Sequence, residues 1–210
     1  MPDIAPRYWL MIAILGFVWG GTFLLIKLAL DGITPFWLAA GRIGFAALLL
    51  CAVWGWRGFK LFRGETSWPS LVIIGILSTA LPFMLISWGQ QHVSSGFTGV
   101  SMAAIPLMVL PLAHVFVPGE QMTLRRLIGF AIGFAGVALL IGGKAFETSG
   151  AELEAYGRAA CLSAAACYSV SSILTRRLPP VDPVGLAAIL LVIGCFVIFP
   201  AAWAAEGPPV

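Results

Sequence analysis

Arg42 is the side chain of this sequence with the clearest chemical potential, because it is a single cation within a long apolar stretch. It follows Pro35 by seven residues, which is about 10 Å along a helix. An arginine at the centre of a helix in lipid costs about 2.5–3.5 kcal/mol, so we expect it to face the protein interior or a wet cavity. There it would be a counter-charge for an anionic group such as a carboxylate. In the alternative interpretation it bonds helix-end carbonyls and contacts no ligand.

Aromatic and hydroxyl side chains recur in two apolar stretches, the first and the sixth of the chain. They are Trp19 and Thr22 in the first, and Tyr168, Ser171 and Ser172 in the sixth. Gly20, beside Trp19, permits close approach of another helix or local unwinding, and freed backbone groups would then hold a polar substrate. Small-residue packing, with each hydroxyl bonded to a carbonyl of its own helix, explains the same pattern equally well.

A polar segment joins the third and fourth apolar stretches. Its side chains Trp88, Gln91 and Thr98 are candidates to line an outer vestibule, and a solvated loop is the alternative. His114, within the fourth stretch, is a candidate for proton movement, although a lone histidine more often makes one hydrogen bond between helices.

Lys27 and Arg176 each end an apolar stretch. We interpret them first as interfacial anchors and only second as ligands. The two His and four Cys show no metal-ligand spacing, so neither a metal nor another cofactor is expected.

The elements that must position these side chains follow from an extreme composition. Of the 210 residues, 60% are hydrophobic and 10% are charged, and the mean hydropathy is +0.99, whereas soluble domains are about 45–50% apolar and about 25% charged. A water-soluble globule is therefore excluded. Seven stretches have the roughly 20 apolar residues that cross a bilayer: 8–27, 35–56, 68–90, 94–117, 124–143, 157–175 and 183–204. The sequence lacks the alternation of barrel strands, which predicts an all-α polytopic transmembrane helix bundle with seven spans.

The distribution of Lys and Arg predicts that the N-terminus is cytoplasmic. In that orientation eight of the twelve basic residues lie in inner segments and three in outer ones, as the excess of positive charge on cytoplasmic loops requires. The inner residues are Arg7, Arg57, Lys60, Arg63, Arg125, Arg126, Arg176 and Arg177. Seven-helix receptors and retinal proteins have the opposite orientation, so that class is disfavoured.

A weak internal repeat relates the first and sixth stretches. At an offset of 149 residues Trp19 aligns with Tyr168 and Lys27 with Arg176, and at 148 residues Thr34 aligns with Asp182. A period of five spans is odd, so the second copy would cross the membrane in the opposite sense, as in many secondary transporters. The predicted units are 1–146, a complete copy of five helices, and 157–210, the first two helices of a second copy.

Further short motifs accompany the repeat. They are Ala80-Leu81-Pro82-Phe83 before Trp88, Ser94-Ser95-Gly96 with Pro106, and Gly119-Glu120-Gln121-Met122-Thr123 leading to Gly129. With Trp19, Pro35 and Arg42, their order and spacing resemble the EamA-like branch of the drug/metabolite transporter superfamily. The resemblance implies an inner-membrane exporter or exchanger of small metabolites without a prosthetic group. Against the family's ten spans, the sequence is expected to be truncated after the seventh helix.

These observations predict a secondary transporter that moves a small polar or amphipathic metabolite, with an amino acid as one candidate, by alternating access in the plasma membrane. The expected partners are that metabolite and membrane lipid; no nucleic acid is expected, and a homodimer is left open. None of the seven stretches contains Asp or Glu, so a coupling carboxylate would lie elsewhere, or coupling is by exchange.

Two rival interpretations belong to other classes of protein. One is a non-transporting subunit or half-transporter that needs a partner, which an incomplete repeat permits. The other is a lipid-modifying membrane enzyme, which is disfavoured because the inner loops lack clustered His, Asp or Glu. No P-loop and no familiar hydrolase motif occurs in the sequence.

Overall fold

The computed structural model describes residues 6–61, 67–120, 122–145 and 152–209, and the regular elements of these ranges are helical. The seven helices are α1 (Pro6–Ala29), α2 (Pro35–Trp56), α3 (Trp68–His92), α4 (Ser95–Phe116), α5 (Leu124–Ala145), α6 (Glu154–Arg176) and α7 (Pro183–Glu206). Both ends of every predicted stretch lie within three residues of the ends of the corresponding helix. The all-helical prediction is confirmed.

Five of these helices, α1 to α4 and α7, are long and apolar enough to cross a membrane. Within the described residues α5 and α6 do not reach that criterion, so a count of seven spans stays a prediction. Helix α6 is rich in Ala and Ser, and nine of its positions are buried against other helices. Its low hydropathy therefore accompanies burial within the protein.

Helix α3 is not uniform along its length. It is α-helical over Trp68–Gly75, π-helical over Ile76–Ala80 and α-helical again over Leu81–His92. The Thr79 hydroxyl donates to the Gly75 carbonyl at 2.6 Å and to the Leu190 carbonyl of α7 at 3.2 Å. Pro82, which has no backbone N–H, follows directly. Short π-helical segments of this kind occur frequently at functional sites.

Helices α2 and α7 form one antiparallel pair. Trp37, in the first turn of α2, contacts Trp203 near the end of α7 with ring centroids 6.3 Å apart. At the other end of the pair, a Cβ built on Gly185 of α7 would lie 2.7 Å from Trp54 Nε1 of α2. The first residues of each helix thus lie beside the last residues of its partner.

These two helices contact each other at both ends, where α7 supplies the cap of α2, whereas Asp182 caps α7 itself by accepting from the Gly185 N–H at 2.8 Å. The carboxylate of Glu206, at the end of α7, accepts hydrogen bonds from Thr34 Oγ1 at 2.6 Å and from the backbone N–H groups of Phe36 and Trp37 at the start of α2. At the opposite face the Asp182 N–H donates to the Leu61 carbonyl beyond α2 at 2.8 Å. An acidic group at a helix N-terminus complements the helix dipole, so these contacts join the two helices at both ends.

Helices α3 and α6 form a second antiparallel pair, with α4 running parallel to α6. A Cβ built on Gly89 of α3 would lie 2.9 Å from the carbonyl oxygen of Gly157, so the two backbones nearly touch. Along α4, Ser169 Oγ of α6 donates to the Ile105 carbonyl at 3.4 Å, and Arg176 pairs with Glu120 at 2.5 Å. The last turns of α1 pack against α3 and α4 through Phe23 and Ile26.

Candidate functional site

Arg42 lies in the interior of the bundle, where α2 meets α3. Its guanidinium carbon is 4.8 Å from the centroid of the Phe83 ring, within range of a cation–π interaction. Its Nη1 atom is buried and has no hydrogen-bond partner within the described part of the chain. A guanidinium has five N–H donors, and leaving one of them buried and unpaired is costly. Arg42 therefore has the capacity to bind an additional acceptor.

Tyr168 brings α6 to the same point. Its ring lies edge-on to the Phe83 ring, with centroids 6.5 Å apart and planes at 89°, so Arg42 and Tyr168 both pack against Phe83. The structure thus brings together two residues singled out from the sequence, Arg42 and Tyr168, around a third, Phe83. Phe83 was not predicted as a site residue, although it ends a motif, Ala80–Phe83, that the sequence does contain.

The face of α3 that carries Phe83 continues with two further polar side chains. Ser87 and Gln90 follow Phe83 at helical spacing and are both fully buried. Gln90 Nε2 donates to the Phe23 carbonyl of α1 at 3.2 Å. Within the described residues, Ser87 Oγ and Gln90 Oε1 have no partner. Sequence analysis proposed the neighbouring Gln91, which the structure places on the exposed side of α3.

Lys27 binds the end of α3. Its ammonium donates to the carbonyls of Gln90, at 2.5 Å, and Val93, at 3.3 Å. These are carbonyls at the C-terminus of a helix, where a cation is favourable. The geometry is that of an anchor between α1 and α3. Arg176, its counterpart in the predicted repeat, pairs with Glu120 instead.

The remaining hydroxyls predicted from the sequence mostly bond within their own helices. Thr22 donates to the Val18 carbonyl at 2.8 Å, and Ser171 donates to the Tyr168 carbonyl at 2.9 Å. Thr98 is fully buried, donates to the Ser94 carbonyl at 3.3 Å and lies 3.5 Å from Cys161 Sγ. Ser172 is half-buried.

The predicted aromatic residues occupy different environments. Trp19 is 65% exposed on α1. The half-buried Trp88 ring contacts the His92 ring at a centroid distance of 4.9 Å. His114 accepts a hydrogen bond from the Met122 N–H through Nδ1 at 3.1 Å, so this nitrogen is engaged near the end of α4. Among the described residues no group of three His, Cys, Asp or Glu is arranged to hold a metal ion.

Among the described residues, this helical bundle holds one guanidinium with a buried, unpaired donor and three further buried polar atoms without a partner. Comparison with protein families shows that residues 7–142 match the EamA-like transporter family. The chain belongs to that family. That family is one of transporters rather than of enzymes.

Individual relatives are named as transporters too. The chain is 30% identical over 135 residues to a "Probable terminal-alkyne amino-acid exporter" of Streptantibioticus cattleyicolor, covering 63% of this chain and 45% of that protein. It is 25% identical over 202 residues to an "Uncharacterized transporter" of Archaeoglobus fulgidus, covering 92% and 67%. It is 30% identical over 132 residues to the "Uncharacterized inner membrane transporter YedA" of Escherichia coli, covering 60% and 40%. The chain thus spans about half the length of such relatives.

A solved crystal structure shares the fold. It aligns with a TM-score of 0.68 at 20% sequence identity, covering 96% of this chain and 69% of the other. At this identity the likeness concerns the arrangement of the helices alone.

Proposed function

We propose that this chain takes part in secondary transport of small metabolites that carry a carboxylate, across the plasma membrane and by alternating access. The observation that carries the proposal is the buried, unpartnered Nη1 of Arg42. An arginine inside a membrane protein marks a substrate pathway unless its donors are all satisfied. Guanidinium donors match the geometry of a carboxylate, which forms short and strong charge-assisted bonds with them.

The site draws on both predicted units. Arg42 and Phe83 belong to 1–146, and Tyr168 belongs to 157–210. In transporters with inverted repeats, the substrate site lies near the midplane where the two repeats meet, and motion of one repeat against the other exposes it to each side in turn. The position of the Arg42–Tyr168 cluster fits that mechanism.

Correspondence between α2 and α7 supports the inverted repeat. An apolar groove of about 730 Å³ lies between these two antiparallel helices. Eight of its eleven lining residues pair at an offset of 148, the offset that aligns Thr34 with Asp182; they are Gly44 with Val192, Ala47 with Cys195, Leu48 with Phe196 and Cys51 with Phe199. The groove thus uses equivalent positions of both helices, as a two-fold relation between them requires.

The proposal also covers the direction of transport and the membrane in which the chain resides. The excess of Lys and Arg in the predicted inner segments supports a cytoplasmic N-terminus and a plasma-membrane location. The printed name of the Streptantibioticus cattleyicolor relative, an amino-acid exporter, supports export or exchange of a carboxylate-bearing metabolite. The other predicted site residues, from Trp19 to Ser172, stay predictions of contact along the same pathway.

A half-transporter that works with a partner, including a second copy of the chain, is the second candidate. The observation that favours it is the exposure of α1, where Phe17 is 87% and Trp19 is 65% exposed. A partner seated on α1 would cover these side chains. Native mass spectrometry of the purified protein in detergent distinguishes a monomer from such a complex.

The experiment that tests the carboxylate site is counterflow in proteoliposomes with radiolabelled carboxylate-bearing metabolites. Arg42→Gln is expected to reduce uptake at least tenfold while insertion is retained. Arg57→Gln is the matched control, because Arg57 directly follows the same helix and its contact with Asp182, at 3.9 Å, is an exposed one. Equal uptake by wild type and Arg42→Gln would exclude Arg42 from the site.

A further inference from the structure

Four buried side-chain polar atoms of the described residues have no hydrogen-bond partner, and three of them belong to or adjoin the face of α3 that carries Phe83, Ser87 and Gln90. Arg42 Nη1 lies over Phe83, and Ser87 Oγ and Gln90 Oε1 follow on the same helix; the fourth, Ser78 Oγ, lies in the π-helical stretch. We propose that Ser87 and Gln90 form a second subsite, which binds the ammonium group of an amino acid whose carboxylate is bound by Arg42. The inference rests on the proposed function and names its substrate class as zwitterionic amino acids.

The chemistry of the atoms sets the polarity of this subsite. The oxygen of a glutamine amide only accepts hydrogen bonds, and a serine hydroxyl accepts as well as donates. The amide of Gln90 is oriented by its Nε2 donor, which bonds the Phe23 carbonyl. Exchanging the two amide atoms would place Oε1 against that carbonyl oxygen. The free atom is therefore an acceptor, and it requires a donor from elsewhere.

The neighbouring cation does not supply that donor. The Lys27 ammonium is bound to the main-chain carbonyls of Gln90 and Val93. In a membrane interior, a buried acceptor without a partner costs about 1–3 kcal/mol or more. A ligand with several N–H donors removes that cost, and an ammonium group has three.

The spacing along α3 suits one small molecule. Ser87 lies about 6 Å, and Gln90 about 10 Å, beyond Phe83 along the helix axis. The Arg42 guanidinium lies over the Phe83 ring, so the free donor adjoins the first residue of the series Phe83, Ser87 and Gln90, and the free acceptors belong to its other two residues, about one and two turns further along α3. A carboxylate at Arg42 and an ammonium toward Ser87 complement this donor and these acceptors. Because both acceptors are neutral, the carboxylate remains the stronger determinant of binding.

The test uses matched probes that differ only in one charged group. Leucine is compared with isocaproate, which lacks the amino group, and with isopentylamine, which lacks the carboxylate. Phenylalanine, hydrocinnamate and phenethylamine form a second set. Equilibrium binding to the full chain purified in detergent is measured by scintillation proximity. In at least one set we expect the amino acid to bind about tenfold or more tightly than the acid, and the amine not to bind.

Two variants locate the subsite. Gln90→Leu and Ser87→Ala are expected to weaken binding of the amino acid while binding of the acid is unchanged, so the ratio of the two affinities falls toward one. Arg42→Gln weakens both ligands. Ser101→Ala is the control, because this buried hydroxyl already donates to the Phe97 carbonyl at 2.9 Å. If Gln90→Leu does not fold, the ratio for Ser87→Ala decides.

The outcomes separate this inference from the function on which it rests. Equal affinities for amino acid and acid in the wild type, with Arg42 required for both, would overturn the ammonium subsite and leave the carboxylate transporter standing. An affinity ratio unchanged in both Ser87→Ala and Gln90→Leu would also overturn it. Absence of binding and of counterflow for every probe would contradict the proposed function itself.

Discussion

Helices α1 and α6 occupy equivalent places in the proposed repeat, yet their surroundings are opposite. Nine positions of α6 are buried, and its neighbours are α3 and α4. In α1 a single described side chain, Ile26, is buried. This difference in burial arises from the neighbouring helices. Helices α3 and α4 cover α6, whereas no pair of helices in the described chain covers α1 to the same extent.

The amino acids of the two helices follow these surroundings. Helix α6 contains six Ala, four Ser and two Cys, and its one Gly, Gly157, lets α3 approach until Gly89 and Gly157 nearly touch. Small residues at helix interfaces are the rule inside membranes. Helix α1 instead carries large apolar side chains outward, among them Phe17 and Leu25. In these two helices, high hydropathy therefore accompanies exposure at the surface of the bundle, and low hydropathy accompanies burial against other helices.

Substitution of glycine by alanine is expected to give the largest difference in stability between variants of the two helices. Gly157→Ala in α6 places a Cβ 2.8 Å from His92 Cβ and 3.0 Å from the Gly89 carbonyl, and we expect a loss of about 3 kcal/mol in the free energy of unfolding. Gly20→Ala in α1 meets no atom within 4 Å, and we expect no loss. Unfolding in detergent by SDS titration measures both, and equal losses would contradict the comparison.

An intermediate difference is expected at the cations that end the two helices. Lys27→Met removes two hydrogen bonds from a charged donor to carbonyls of α3, and we expect a loss of about 2 kcal/mol in the free energy of unfolding. Arg176→Met removes an exposed ion pair with Glu120, which is worth less than about 1 kcal/mol. The same titration, repeated at high salt, checks the order. A larger loss for Arg176→Met would show that the two anchors were ranked wrongly.

Removal of one hydroxyl group from each helix is expected to give the smallest difference in stability. Ser169→Ala in α6 removes a hydroxyl that donates to the Ile105 carbonyl of α4 as well as to its own helix, and a loss of about 0.6 kcal/mol is expected. Thr22→Val in α1 removes a bond within α1 alone, with no expected change. Thermal melting of the purified variants resolves them if each is measured against wild type. Destabilisation of Thr22→Val alone would reverse the comparison.

Sequence patterns predicted the helices well because hydrophobic length and proline position act locally. Pro35 and Pro183 begin helices where the sequence placed them, and Arg42 was singled out by its charge in an apolar stretch. The partners of Arg42 could not be derived in this way. Phe83 packs against Arg42 from α3, and Tyr168 packs against Phe83 from α6, and the register between helices is a property of the folded bundle.

The glutamines of α3 illustrate a second limit. The polar segment after Trp88 was interpreted as a vestibule or a loop, in which Gln90 and Gln91 would be equivalent. The helix instead continues to His92, and helical register then buries Gln90 and exposes Gln91. The same spacing from Phe83 would have identified Ser87 and Gln90, had the helix end been known. The π-helical stretch Ile76–Ala80 had no comparable signal in the sequence.

The central claim is that α1 and α6 cross the membrane in opposite directions and that the Arg42–Tyr168 cluster lies between their two units. It is tested most directly by labelling single cysteines, in a variant without the four native cysteines, at Asp31 after α1 and at Arg177 after α6. Both positions are exposed. In right-side-out vesicles a membrane-impermeant maleimide is expected to label the cysteine at position 31 at once, and the cysteine at position 177 only after permeabilisation. Labelling of both positions from the same side would contradict the account.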